Sequence, residues 1–209
     1  MSDQVYIFPT DTVWGIGAAL SSLAARARIE EIKGITRPRP YALIFAQLSN
    51  LAAWMAPDAP MAATEWEKVL AAHTTVLFPA VWLKAPAAAA APGEAFIGVR
   101  WQPNDACQAI WQREQEPLIS TSLNRHGQAP IIEEEAAYAF ARQYAPDAQF
   151  MSATLEKSAQ ASTILAVTLD APARSARRPA RGKVKVLRGP VEESLAHILG
   201  SMGLDIDRD

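Results

Sequence analysis

The chain has 209 residues, half of them apolar and a fifth charged, with a formal net charge of −2. These values suit a globular domain with one good-sized core, and the charge alone does not announce a nucleic-acid binder. The single cysteine, Cys107, excludes an internal disulfide and fits a cytoplasmic setting.

The N-terminus lacks the basic region, apolar core and small-residue cleavage site of a signal peptide. No apolar run approaches the roughly 20 residues that span a bilayer, so no membrane partner is expected. Strand and helix signals then alternate, which predicts an α/β or α+β domain. "VYIF" (Val5–Phe8) reads as a short buried strand. The stretch "PTDTVWGIG" that follows reads as a turn of hydroxyls around an aspartate, closed by two glycines. "SSLAARARIEEIKG" predicts a helix capped at Ser21 or Ser22 and stopped at Gly34. "YALIFA" is a second strand, and "NLAAWM" and "MAATEWEKVLAA" are helices split by Pro57 and Pro60. "TTVLFPAVWL" predicts a long strand whose Pro79 marks an edge or a bulge. "APAAAAAPG" reads as a flexible connector.

"AFIGVRW" is a further strand, and "DACQAIWQRE" a helix with Ala106, Ala109 and Ile110 inward. Cys107 there is expected to be a packed thiol rather than a nucleophile. "PLISTS" is a strand entering the polar loop "LNRHGQAP", and "EEEAAYAFARQY" a helix with acids in its first turn. "STILAVTL" and "VKVLR" are late strands. "VEESLAHILG" closes the chain as an amphipathic helix, with Val191, Leu195, Ile198 and Leu199 on one face and Gly200 as its stop. There is no internal repeat and no linker long enough to separate two domains.

Polar clusters follow several strand ends: "TDT", "STSLN", and Arg188 after "VKVL". Ligands of open α/β sheets bind at such ends, where hydroxyls and amides hold phosphate or carboxylate oxygens. "PTDT" alone is more often a turn, and "STS" alone is common. Gly15-Ile16-Gly17 lacks the third glycine of a dinucleotide loop, and no Walker loop occurs. Lys33, Arg37 and Arg39 read either as cations stabilising a helix end or as a polyphosphate clamp. Arg100 among apolar neighbours calls for an anionic partner. The three histidines, His73, His126 and His197, have no ligand spacing, so no metal site made of side chains is expected. A hydrolase built from Ser120 or Ser122 with His126 lacks the nucleophile-elbow pattern. The densest charge run holds Arg174, Arg177, Arg178, Arg181, Lys183, Lys185 and Arg188 without an acid. It reads equally as a solvated loop or as an RNA contact.

Taken in order, "FPTDTVWGIGAA", "EIKG" before "PYALIF", "VLFPA", "IGVRWQP", "PLISTSLN", "STILAVTL" and "VLRGP" resemble the YrdC-like family, the L-threonylcarbamoyladenylate synthases. The resemblance covers roughly 5–191. It implies a single-domain α/β (α+β) fold over 1–191: a twisted open mixed sheet with flanking helices and a concave ligand-binding face. Residues 192–209 would be a C-terminal helix and tail packed on the same domain. The activity it implies condenses L-threonine, bicarbonate and ATP to threonylcarbamoyl-AMP, releasing pyrophosphate. Partner proteins then transfer the group to adenosine 37 of certain tRNAs. Mg2+ would travel with the ATP, and no covalent nucleophile is needed.

By match to the family motifs, Thr10, Thr12, Arg100, Ser120 and Ser162 would hold L-threonine, with Asp11 holding the turn. Lys33, Arg37, Arg39, Ser122, Asn124, Thr163 and Arg188 would hold ATP. Arg174, Arg177, Arg178, Arg181, Lys183 and Lys185 would contact tRNA or double-stranded RNA. The chain departs from the pattern in four places. Ile35 stands where the family has an arginine, for which Arg37 or Arg39 would substitute; "LAAHTT" replaces a Trp-Pro-Gly-Pro turn; "RGP" replaces "RPG"; and the helix before the first strand is missing, its apolar contact left to the C-terminal helix. The alternative is a divergent paralogue that binds nucleotide or double-stranded RNA without the full reaction. A role in carbamoyl transfer during hydrogenase maturation would call for further domains.

Overall fold

The structure, a computed structural model, describes residues 2–37, 39–152, 161–169 and 181–207. In chain order it runs β1 (Val5–Pro9), β2 (Trp14–Ala19), α1 (Leu23–Lys33), β3 (Ala42–Phe45), α2 (Leu48–Trp54), α3 (Glu67–Ala71), β4 (Thr74–Pro79) and β5 (Phe96–Trp101). It continues α4 (Asp105–Glu114), β6 (Leu118–Ser122), α5 (Glu134–Tyr144), β7 (Gln149–Phe150), β8 (Thr163–Leu169), β9 (Gly182–Arg188), α6 (Glu193–Ser201) and β10 (Leu204–Asp207). All ten strands form one mixed sheet in the order β10-β9-β8-β4-β5-β3-β6-β2-β1-β7. The expected twisted open mixed sheet with flanking helices is the fold observed.

Strand alternation divides the side chains into two faces. Val5, Ile7, Ile16, Leu43, Phe45, Val76, Val99, Ile119 and Leu165 enter the larger core, with buried residues of α1, α2, α3, α5 and α6. Tyr6, Phe8, Ile44 and Leu118 point the other way, onto Ala106, Cys107 and Ile110 of α4. Thus α4 covers only one end of the second face. Beyond it, the same alternation aligns Gly15, Ala42, Thr75, Arg100, Ser120, Ser122 and Ile164, residues of neighbouring strands in register. Small or hydroxyl-bearing side chains there leave the face open.

Several local expectations change. "WGIGAA" is not the end of a turn but the fully buried strand β2, hydrogen-bonded between β1 and β6. Its glycines serve packing: a Cβ on Gly17 would lie 2.5 Å from the Ile119 carbonyl oxygen, and one on Gly15 would meet the Phe8 ring at 3.1 Å. Pro79 ends β4, an inner strand, at the last register pair with Phe96, so it is neither edge nor bulge. The alanine-rich connector is a packed 3-10 turn in which Ala87, Ala90 and Ala91 are buried. Alanine's small side chain lets that turn lie against the core while the Ala90 carbonyl accepts from the Tyr41 amide. In α4 Ala106, Ile110 and the packed Cys107 point inward as expected, whereas Ala109 is exposed. Helix α1 is as expected: the Ser22 side chain accepts from the Ala25 amide, and Gly34 ends it in the left-handed region at φ 69°. Helix α6 runs through Gly200 and stops before Gly203, whose φ is 76°.

Leu195 and Leu199 of α6 and Leu204 of β10 are buried in the larger core, and β10 pairs with β9. Removing everything after Pro190 therefore exposes the apolar surface under three leucines. The melting temperature should fall by at least about 5 °C, or the chain should aggregate; an unchanged thermal unfolding curve contradicts this. Gly17→Ala should destabilise by about 1–3 kcal/mol in denaturant unfolding, because the added methyl meets backbone rather than a movable side chain; wild-type stability would show that β2 and β6 separate freely.

Candidate functional site

The turn between β1 and β2 is held by Thr10. Its Oγ1 donates to the Val13 carbonyl at 2.6 Å and accepts from the amides of Thr12 and Val13 at 3.3 Å. Asp11, expected to hold the turn, instead reaches across to other segments. Its Oδ1 accepts from the Arg100 guanidinium and, at 2.6 Å, from Gln102 Nε2; its Oδ2 accepts from His73 Nδ1 at 2.6 Å. The Asp11 amide donates to Gln102 Oε1 at 3.1 Å. The Thr12 hydroxyl accepts from Arg100 at 3.2 Å. Arg100 is therefore a buried cation paired from one side. Burial pushes its guanidinium below the usual arginine range, while the Asp11 carboxylate pulls it back up. Its Nε is buried and has no hydrogen-bond partner among the described residues.

This arginine opens into a hollow of about 500 Å³ on the face that α4 leaves free. Of the expected site residues, Thr10, Thr12, Arg39, Arg100, Ser120, Ser122, Ser162 and Arg188 line it, with Thr75 and Thr121. The lining holds three arginines and seven hydroxyls and no carboxylate. The volume falls in the range of small-molecule sites. At its far wall Thr75 and Ser162 share a hydroxyl hydrogen bond of 2.9 Å. Arg188 is held there by donating to the Ser162 carbonyl at 3.0 Å. Cys107 lies in the core behind, its thiol pushed up to about 12 by burial, so it is no nucleophile.

A second hollow, of about 450 Å³, shares Arg39, Pro40, Thr121 and Ser122 with the first. It adds Lys33, Ile35, Asn124, His126 and Gln128. Lys33, the last residue of α1, is 5 % exposed. Its Nζ donates to the Ser122 carbonyl and to the carbonyl and Oδ1 of Asn124, the latter at 3.1 and 2.7 Å. All three acceptors are neutral, and desolvation lowers the ammonium to about 8. The loop after β6 is tied to the end of α1. The His126 amide donates to the Lys33 carbonyl at 2.8 Å, and Arg125 donates to the Glu31 and Ile32 carbonyls while lying over the Tyr144 ring.

The remaining expected residues lie apart. Thr163 lines a smaller neighbouring hollow of about 240 Å³, shared with Thr12, His73 and Glu192, and its hydroxyl donates to the Pro190 carbonyl at 2.8 Å. Arg37 is exposed and lines none of these hollows. Lys183 and Lys185 stand on exposed positions of β9, in register with Asp205 and Asp207 of β10. Arg181 is exposed just before that strand. Arg174, Arg177 and Arg178 lie outside the described residues. The sequence reading missed Gln102 and His73, which join Asp11 from segments far away in the chain; no local motif announces either. Among the described residues no group of three or more His, Cys, Asp or Glu is placed to hold a metal ion.

Comparison with known proteins places this arrangement. The family model for the Sua5/YciO/YrdC domain, described as telomere recombination, matches residues 1–179. A threonylcarbamoyl-AMP synthase of Alkalilimnicola ehrlichii is 31 % identical over 131 residues, which span 60 % of this chain and 64 % of that relative. Among solved structures, P. abyssi Sua5 complexed with L-threonine has a TM-score of 0.68 at 20 % identity, covering 98 % of this chain and 56 % of that one. E. coli YciO has a TM-score of 0.59 at 20 % identity, covering 86 % and 84 %. The chain thus spans less than two thirds of the synthase and just over half of Sua5, and by the match across most of its length it belongs to the Sua5/YciO/YrdC family.

Proposed function

We propose that the chain condenses L-threonine, bicarbonate and ATP to threonylcarbamoyl-AMP. One observation carries this reading: two adjoining hollows lined by cations and hydroxyls, with no carboxylate in either lining. Such a surface suits two anionic reactants side by side. The threonine carboxylate would lie against Arg100, which lines the hollow, with Thr12, Ser120 and Ser162 around the amino acid. The ATP phosphates would lie toward Lys33 and Arg39, with Ser122 and Asn124 between the two ligands. The threonine amine takes up the bicarbonate carbon as a carbamate with loss of water. A carbamate oxygen then attacks the α-phosphorus, and the bond to pyrophosphate breaks. No side chain forms a covalent bond in this scheme. The chain contributes orientation and positive charge where negative charge gathers. With no carboxylate lining either hollow, Mg2+ would come bound to the ATP phosphates rather than on protein ligands.

The reading extends to tRNA threonylcarbamoylation by the family resemblance of the sequence motifs, with transfer proteins completing it. Direct contact with RNA has less support, since Asp205 and Asp207 face Lys183 and Lys185 across the β9–β10 register and offset their charge. One observation favours the second reading, a nucleotide-binding paralogue without synthase activity: Ile35 lines the hollow beside Lys33 and brings no charge there.

The deciding assay is pyrophosphate release from ATP that depends on both threonine and bicarbonate. The wild type should release it, and Lys33→Ala should lower kcat/KM at least about a hundredfold, as expected for a buried cation on a reacting phosphate. ATP binding without turnover selects the paralogue. The depressed Lys33 ammonium adds a sign: it is charged below its titration and neutral above, so ATP affinity should weaken as pH rises through about 8. Calorimetric titrations should show this in wild type and a flat profile in Lys33→Arg; a flat wild-type profile contradicts a role for Lys33 on the phosphates.

A further inference from the structure

We propose that His73 is a positioning residue for the amino-acid subsite, acting on Arg100 through Asp11; this rests on the functional reading above. His73 lies between α3 and β4, with a left-handed backbone at φ 53° and a side chain about half exposed. Its Nδ1–H donates to Asp11 Oδ2 at 2.6 Å, since an ionised carboxylate only accepts. The other oxygen, Oδ1, takes Arg100 and Gln102. Asp11 is thereby divided, with one oxygen for the guanidinium and one for the imidazole.

This division decides how much of Arg100 a ligand receives. Arginine and carboxylate prefer a two-oxygen clamp. With His73 in place, Oδ2 is held toward the imidazole and the carboxylate meets the guanidinium through Oδ1 alone, which leaves more of the guanidinium for an incoming carboxylate. Without the imidazole donor, Oδ2 turns onto Arg100 and competes with the ligand. The charged groups around this cluster are Asp11 on the β1–β2 turn, Arg100 on β5, Arg188 on β9, whose charge acts on Arg100, and Glu192 ahead of α6, which shares the small hollow with His73.

Two substitutions separate this role from folding. Glycine accepts the positive φ and removes the donor; asparagine also tolerates it and presents an amide N–H near the place of Nδ1. In His73→Gly, L-threonine should bind about tenfold more weakly and its KM should rise alike with kcat little changed, the loss of one charged hydrogen bond. In His73→Asn, affinity at neutral pH should return toward wild type. Wild-type threonine affinity in His73→Gly would overturn the proposal. If the wild type binds no threonine at all, the functional reading fails. The relay is then judged by the Arg100 Nε–H resonance, which should shift in His73→Gly and return in His73→Asn; a resonance indifferent to both variants refutes it.

Discussion

The site exists because strand register and residue size agree on one face of the sheet. Five neighbouring strands from β4 to β2, with β8 beyond, turn glycine, alanine, serine, threonine and one arginine to the side that α4 does not cover. A one-residue slip in any of them would bury that set in the larger core and expose Val99, Leu43 or Ile119. The apolar face therefore fixes the polar one. Core burial on one side, worth about 2 kcal/mol per large side chain, holds the hydroxyls and Arg100 in register on the other. Close approach at Gly17 keeps β2 against β6, and so keeps the Thr10–Val13 turn beside Ser120 and Ser122.

Electrostatics add a second constraint. The two central cations are handled differently. Arg100 is paired to a carboxylate from behind, and three neutral acceptors surround Lys33. A buried ion pair tolerates its surroundings without a ligand, whereas a buried ammonium among neutral groups is depressed toward neutrality. Both arrangements leave a demand for negative charge at the hollows: a guanidinium whose carboxylate lies behind it on one side, a desolvated ammonium on the other. Adjacent hollows with those two demands explain why the chain's fold and its candidate chemistry share one surface.

Much of this was legible in the residues. Alternating apolar strands, the Ser22 cap and the Gly34 stop mark the framework, because each signal is local. The hydroxyl clusters at strand ends and Lys33 at its helix end were readable for the same reason. Strand β2 escaped because Gly15, Gly17, Ala18 and Ala19 carry low strand propensity, and only pairing on both sides makes them a strand. The alanine run looked like a linker because composition does not say what alanine packs against. The Asp11 hub was invisible for a different cause. His73, Arg100 and Gln102 reach it across 62 to 91 residues of chain, a distance no local pattern spans. Strands β7 and β10 are too short or too charged to announce themselves.

The most direct measurement is a crystal structure of the chain with L-threonine and a non-hydrolysable ATP analogue. The threonine carboxylate should lie within hydrogen-bond distance of the Arg100 guanidinium, and the analogue's phosphates within reach of Lys33 Nζ, with Ser122 touching both ligands. Ligands seated on another surface, or an Arg100 still fully engaged by Asp11 with threonine present, would contradict it.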